Sequence, residues 1–328
     1  MNVNKPRCVL LGTGGTIASR IDPATGLAVP ARSAEELLQA TPRLAEIADI
    51  DVIEVSKLPS PHIGPPQWLQ LHRLITEALD RPDVSGVIVS HGTALLEETA
   101  WFLDLTIQHE KPIVLIGAQR NASDPDFDGS FNLLHAVRVC VSEQARGKGV
   151  LVVLNQHINA AREVTKTHTF DVETFNSGEW GYLGNAAADR VIFHRTPLRR
   201  LHIPLKPGPL PVVEVVSMYA GACGLLVDAC IGKVDGLVLQ AVGAGHVNPS
   251  MYQAVLRAIE SGLKVVVSTR IPKGGVRPCY GFEGSSQLLK NAGAVLASDL
   301  SAWKARIVLM LAIQSGLDNQ QMQALFDL

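Results

Sequence analysis

Aromatic residues are scarce in this chain, at 5 %. Neither charge sign dominates: 29 Lys and Arg stand against 31 Asp and Glu, for a formal net charge of −2. A nucleic-acid surface needs a basic stripe with stacking aromatics, so both shortages argue against such a partner. Long hydrophobic runs are missing too. The N-terminal stretch MNVNKPRCVLLGTGGT has a short apolar run that breaks at glycines, too short for a signal-peptide core or a membrane span. Cysteine is sparse and odd in number. Cys8, Cys140, Cys223, Cys230 and Cys279 lie scattered without CxxC spacing, which argues against a disulfide scaffold or a zinc site and fits a reduced, cytoplasmic enzyme. What the chain has in quantity is apolar side chains, 47 % against 18 % charged. Over 328 residues that supports two domains, each with its own core.

The apolar residues are grouped in short runs: Val9–Leu11, Val52–Val55, Val87–Val89, Ile113–Ile116, Val150–Leu154, Val212–Val216, Gly236–Leu239 and Lys264–Val267. They are continuous rather than alternating, the pattern of strands buried on both faces of a parallel sheet. Helical spacing lies between most of them, in Ala100–Ile107, Asn132–Glu143, Pro249–Ser261 and Ala302–Ile313. Ser33-Ala34-Glu35-Glu36 and Asp318 to Gln321 read as capping boxes. Strand and helix in alternation predict an α/β fold of open, mostly parallel sheets with right-handed crossovers. Ligands of such sheets bind at the carboxyl ends of the strands. A proline-dense run without periodicity holds Pro197, Pro204, Pro207, Pro209 and Pro211. It divides a larger N-terminal domain, 1–194, from a smaller C-terminal one, 212–328, with 195–211 as linker.

Four polar corners follow the predicted strands. The first, Gly12-Thr13-Gly14-Gly15-Thr16-Ile17-Ala18, invites a phosphate-cradle reading. GxGxxG fails because Ile17 occupies the third glycine position, and no P-loop Lys-Ser/Thr is present. What remains is a flexible loop with two hydroxyls, Thr13 and Thr16, which serve either chemistry or the turn's own backbone. The second corner is Ser90-His91-Gly92-Thr93, expected beside the first. There His91 is read as a structural hydrogen-bonder, and Glu97 and Glu98 as first-turn residues favoured by the helix dipole. The third, Glu163 to Thr169, sets Lys166 among threonines; it is either a solvated loop or a desolvated lysine able to act as a base. The fourth, Leu58-Pro59-Ser60-Pro61-His62, is a rigid loop. No Gly-x-Ser-x-Gly elbow and no metal-ligand cluster occurs. A threonine hydroxyl needs an adjacent base, and Lys166 is the candidate these corners offer.

These residues resemble the bacterial-type L-asparaginases and glutaminase-asparaginases. Thr13-Gly14-Gly15-Thr16-Ile17-Ala18 is similar to the first family signature, and His91-Gly92-Thr93 with Leu96-Glu97-Glu98-Thr99-Ala100 to the second. Further matches are Gly117-Ala118-Gln119-Arg120, Asp128-Gly129 with Asn132, Val164-Thr165-Lys166-Thr167, Arg195-Thr196-Pro197 and Lys304-Ala305-Arg306. The resemblance implies an amidohydrolase acting through a threonine acyl-enzyme on a small-molecule amide, without cofactor or metal. It also implies a homo-oligomer, a dimer or tetramer with shared active sites. Carried over by motif, Thr16 is the nucleophile, and Thr93 with Lys166 is the second hydroxyl and its base. Backbone N–H groups of the Gly92–Ala94 loop are the oxyanion donors, and Ser60 meets the substrate α-carboxylate.

Three positions depart from the family pattern. Ala94 stands where the family has an aspartate that binds the substrate α-ammonium. Ala244, in Gly243-Ala244-Gly245-His246, takes the place of an asparagine with the same partner. The loop Ile17–Gln39 lacks the family tyrosine. Removing one partner of a buried charge pair costs about 3–5 kcal/mol, roughly two to three orders of magnitude in affinity. Two enzymatic readings follow: an asparaginase with a rebuilt amine site, in which Glu283 substitutes, or an amidohydrolase for a carboxamide whose α-amine is absent or acylated. A non-catalytic amide or amino-acid sensor is the third reading, disfavoured by the presence of Thr16 and Lys166.

Overall fold

The computed structural model describes residues 5–187 and 190–327. The chain divides into two compact units, Met1–His202 and Ile203–Leu328. The division point lies within a stretch, 195–212, that carries no helix or strand.

The N-terminal unit contains strands β1 (Arg7–Gly14), β2 (Ser19–Ile21), β3 (Ala28–Pro30), β4 (Asp49–Leu58), β5 (Val84–Ser90), β6 (Ile113–Ile116), β7 (Val150–Leu154), β8 (His157–Ala160), β9 (Thr165–Lys166), β10 (Phe175–Asn176), β11 (Gly184–Ala187) and β12 (Arg190–Phe193). Its helices are α1 (Ala34–Gln39), α2 (Pro65–Leu79), α3 (Leu96–Thr106) and α4 (Gly129–Cys140). Eight strands form one sheet in the order β12-β11-β8-β7-β6-β5-β1-β4. The pairs from β4 to β7 are parallel, and β8 and β11 join antiparallel. After β1 the chain pairs β4 on one side and then β5 on the other. The direction of winding therefore reverses at the β1/β5 boundary, where open α/β sheets leave a crevice for ligands.

Strands β5, β6 and β7 are buried almost throughout, as continuous apolar runs require. The run Val52–Val55 departs from that expectation: β4 is the edge strand, half-buried to exposed along its length. The same correction applies to Val212–Val216, whose strand mixes buried, half-buried and exposed positions at a sheet edge. Ser33 caps α1 with a reciprocal box: its side chain accepts from Glu36 N, and Glu36 Oε2 accepts from Ser33 N at 2.7 Å. Helix α2 lies outside the helices the sequence reading named, although Trp68, Leu71, Ile75, Ala78 and Leu79 are buried at three- and four-residue spacing. Pro65 and Pro66 open it, a position where proline is tolerated because the first N–H has no intrahelical partner.

The C-terminal unit is a four-stranded parallel sheet, β13 (Val213–Ser217), β14 (Gly236–Ala241), β15 (Lys264–Thr269) and β16 (Val295–Leu296), in that spatial order. Helices α5 (Leu225–Cys230), α6 (Pro249–Glu260), α7 (Ser286–Asn291), α8 (Ala302–Gln314) and α9 (Asn319–Phe326) accompany it. Asp318 and Gln321 form the expected box at the start of α9. No helix among the described residues is long and apolar enough to cross a membrane.

Candidate active site

The switch point of the larger sheet is built by close backbone approach. Gly15 has a φ of 79°, a conformation that L side chains rarely adopt, and a Cβ there would run into the backbone of Gly92. Gly92 in turn abuts Ser60, whose Cβ would lie 2.5 Å from any Cβ at position 92. Three loops, following β1, β4 and β5, are thereby stacked without intervening side chains. That stacking is what the glycines of the first two corners do.

The corner after β5 is fixed by a directed chain of hydrogen bonds. Trp68 Nε1 donates to Thr99 Oγ1 at 2.9 Å, and Thr99 Oγ1 lies 3.0 Å from His91 Nε2. Gly92 O can only accept, so His91 Nδ1 carries a proton and donates to it at 2.7 Å, and with the ring neutral the Thr99 hydroxyl donates to Nε2. The imidazole is neutral and fully buried, and burial pushes its pKa down to about 4. Gly92 O also accepts from Ser60 Oγ at 2.7 Å, and Ser60 Oγ accepts from Leu95 N at 2.9 Å. His91 is therefore a structural hydrogen-bonder. The backbone N–H groups of Gly92, Thr93 and Ala94 find no acceptor among the described residues.

The two hydroxyls of the first corner separate. Thr13 is buried and donates from Oγ1 to Ser90 O at 2.9 Å, a bond that ties β1 to β5. Thr16 opens a short 3-10 turn and lines a cavity of about 330 Å³. Ser60, Thr93, Ala94 and Lys166 line the same cavity, and Ala28 and Pro30 of β3 contribute to its wall. Among the described residues, no acidic side chain lines it. Ala94 is exposed, whereas Thr93 is buried, with 5 % of its surface accessible.

Lys166 sits on the small β9–β10 hairpin, where Phe175 pairs with it. Its Nζ donates to Thr93 Oγ1 at 2.7 Å and to Gln119 Oε1 at 2.9 Å. Burial holds the lysine below its usual pKa, and the Glu97 carboxylate opposes that shift. Glu97 is in the first turn of α3, as expected, but it is also buried at 8 % exposure, and its Oε2 has no hydrogen-bond partner. Gln119 and Glu97 are functional neighbours of Lys166 that the motif reading did not assign. Gln119 belongs to a matched motif at the end of β6, yet 47 positions separate it from Lys166, and nothing in the spacing joins them.

Thr16, Ser60, Gly92, Thr93, Ala94 and Lys166 thus converge at one set of strand ends, all in the N-terminal unit. Glu283 lies in the C-terminal unit, where its Oε1 accepts from Gln253 Nε2 at 2.9 Å. Ala244 is in that unit too, its carbonyl accepting from Arg277 N at 3.1 Å. Among the described residues, no group of three or more His, Cys, Asp or Glu is placed to hold a metal ion.

Residues 7–199 match the family described as "Asparaginase, N-terminal", and residues 212–326 match the "Glutaminase/Asparaginase C-terminal domain". The chain belongs to the asparaginase family. It is 36% identical over 310 residues to an L-asparaginase of Bacillus licheniformis, covering 94% of this chain and 96% of the relative. It is 35% identical over 331 residues to L-asparaginase 2 of Escherichia coli (strain K12), covering 98% of this chain and 93% of that one. Among solved structures, the "Probable Cytoplasmic L-asparaginase" of Campylobacter jejuni superposes with a TM-score of 0.90 at 33% identity, over 98% of this chain and 99% of the other. Ala94, which the family resemblance marks as a departure, lines the cavity of this asparaginase-family chain.

Proposed function

We propose that the chain hydrolyses a primary side-chain carboxamide to carboxylate and ammonia through an acyl ester on Thr16. The observation that carries the reading is the Lys166–Thr93 hydrogen bond of 2.7 Å in the wall of a cavity that Thr16 also lines. Thr16 Oγ1 attacks the amide carbon, and the Lys166–Thr93 pair takes up the hydroxyl proton. A lysine desolvated in this way is more readily neutral, and so a better base, than an exposed one. The Gly92 carbonyl is held by His91 and Ser60, and the planar peptide points the Thr93 N–H the opposite way. Together with Ala94 N–H it supplies preorganised donors for the tetrahedral oxyanion. The C–N bond then breaks, the nitrogen leaves as ammonia with the transferred proton, and water hydrolyses the ester by the same base. Ser60 commits its single proton to Gly92 O, so a grip on the substrate carboxylate through its hydroxyl requires that proton to turn.

A second reading concerns the substrate. Among the described residues the cavity wall carries no carboxylate to meet an α-ammonium, and Ala28, Pro30, Pro59, Pro61 and Ala94 make much of it apolar. This favours an amide whose α-amine is absent or acylated, in preference to free asparagine. The reading as a sensor without turnover is weaker, because the hydroxyl, the second hydroxyl and the lysine are all present. Homo-oligomerisation, to a dimer or tetramer, and a cytoplasmic location rest on the family resemblance and on the five free cysteines.

The test is ammonia release by purified protein, with Thr16→Ala as blank. The substrates are L- and D-asparagine, L- and D-glutamine, succinamate and N-acetyl-asparagine. Turnover confined to succinamate and N-acetyl-asparagine supports the second reading. Fast turnover of L-asparagine removes it in favour of a rebuilt amine site. No ammonia from any of them, in a folded protein, counts against hydrolysis of this amide class.

A further inference from the structure

We propose that Gln119 is the positioning residue that orients Lys166 without placing a charge beside it. The inference rests on the amidohydrolase reading for its consequence in catalysis, but the geometry is independent of it. Lys166 Nζ has two hydrogen-bond partners, Thr93 Oγ1 and Gln119 Oε1, both neutral oxygens. The orientation of the Gln119 amide is not free. Its Nε2 donates to two backbone carbonyls, Thr169 O at 3.2 Å and Asp171 O at 3.1 Å, so Oε1 has to face the lysine. The main chain at Gln119 is anchored as well, its N–H lying 3.1 Å from each Asp128 carboxylate oxygen.

An amide oxygen accepts and never donates. A neutral lysine amine has two N–H bonds and one lone pair, so one N–H must point to Gln119 Oε1. Of the directions that remain, one faces Thr93 Oγ1, to which Nζ donates at 2.7 Å; when a neutral amine turns its lone pair there, that bond reverses and the lysine takes the hydroxyl proton. A carboxylate in the position of Gln119 would fix the same N–H but would also favour the ammonium form. Gln119 therefore gives direction without charge. The charged groups nearby are accounted for. Glu97, buried on α3, favours the ammonium form from a distance. Arg120 is paired with Asp126 at 3.0 Å, Asp128 accepts from the Gln119 and Arg120 N–H groups, and Asp171 Oδ1 accepts from Glu173 N. Among them Glu97 is the one that acts on Lys166.

The experiment compares the wild type with Gln119→Glu and Gln119→Leu. Lys166 is titrated by NMR of 15N-labelled lysine side chains, its signal assigned with Lys166→Arg, and kcat and KM are followed against pH. In Gln119→Glu the new carboxylate is expected to raise the Lys166 pKa by roughly one to three units. The acid limb of kcat should move upward by the same amount, leaving the variant slow at neutral pH and recovered at higher pH. Gln119→Leu removes direction without adding charge: kcat should fall by tenfold or more at every pH, with KM little changed. A residue that merely filled space would leave both titration and pH profile in place. The proposal is overturned if Lys166 titrates identically in Gln119→Glu and wild type, or if folded Gln119→Leu keeps the wild-type kcat. If the titration moves but the wild type turns over no amide, the assigned reaction fails and the positioning role stands.

Discussion

Thr16 and Thr93 follow neighbouring strands of one sheet and line one cavity, yet they are held in opposite ways. Thr93 is buried, takes a hydrogen bond from Lys166, and sits on a peptide whose carbonyl is clamped by His91 and Ser60. Thr16 is half-buried, in a turn that begins with a left-handed glycine. The contrast separates two jobs that a hydroxyl can have in acyl transfer. A residue that relays protons gains from being immobile, whereas a nucleophile must reach a substrate carbon and later carry the acyl group. The same fold supplies both by ending one strand in a hydrogen-bonded lattice and the other in a glycine turn.

The largest effects should come from removing one member of the pair at a time. Thr16→Ala is expected to lower kcat by roughly a thousandfold or more. Thr93→Val, which keeps the methyl group that packs near Gly117, should lower it by about 10²–10⁴-fold with KM nearly unchanged. Steady-state ammonia release checks both. If the two losses multiply in the double variant, the threonines act separately and the division of labour fails.

The lattice behind Thr93 has its own signature in acid. The buried His91 has a folded pKa of about 4, below its unfolded value near 6.5. The unfolded chain therefore binds more protons between those values. This stability is fully present above pH 6.5 and is lost as pH falls toward 4, by about 3 kcal/mol. His135, also buried and also pushed down to about 4, acts in the same direction. Urea unfolding at a series of pH values measures the loss, and His91→Gln should flatten part of it.

A third change probes the cavity wall rather than the lattice. Ala94→Asp places a carboxylate on the cavity wall, at the position where the resemblance implies an aspartate. It should raise the kcat/KM for L-asparagine relative to succinamate by about ten- to a hundredfold. An unchanged ratio in a folded variant argues that Ala94 does not set the preference. The smallest effect is expected from Glu97→Gln. Losing that carboxylate removes support for the ammonium form of Lys166, so its pKa falls and the acid limb of kcat moves to lower pH.

The parts of this arrangement that sequence reveals are those written in local pattern. Apolar runs at Val87–Val89 and Val150–Leu154 mark buried strands because both faces of β5 and β7 are covered. Ser33 and Asp318 mark helix starts because a capping box needs only four consecutive residues. Local pattern alone shows the two hydroxyls of the first corner without telling them apart, and only the resemblance singles out Thr16: Thr13 turns inward to Ser90 O and Thr16 lines the cavity, a difference set by the glycine turn between them. The position of β4 at the sheet edge was hidden, since Val52–Val55 reads like any central strand. The Gln119 partner of Lys166 was hidden for another reason, whereas Thr93 was paired with the lysine by resemblance. Thr93 and Gln119 follow β5 and β6, Lys166 lies on the β9–β10 hairpin, and the three meet only when the chain folds. The burial of Glu97 was invisible because a first-turn glutamate has the same local pattern whether it faces solvent or a lysine.

The most direct test of the central claim is to catch the acyl group. Protein turning over a carboxamide identified in the ammonia assay is quenched in acid, digested, and mapped by mass spectrometry. The division of labour between the two threonines predicts an added acyl mass on the peptide carrying Thr16, absent in Thr16→Ala. An acyl group on Thr93, or steady turnover with no acylated residue under conditions that trap esters, would contradict it.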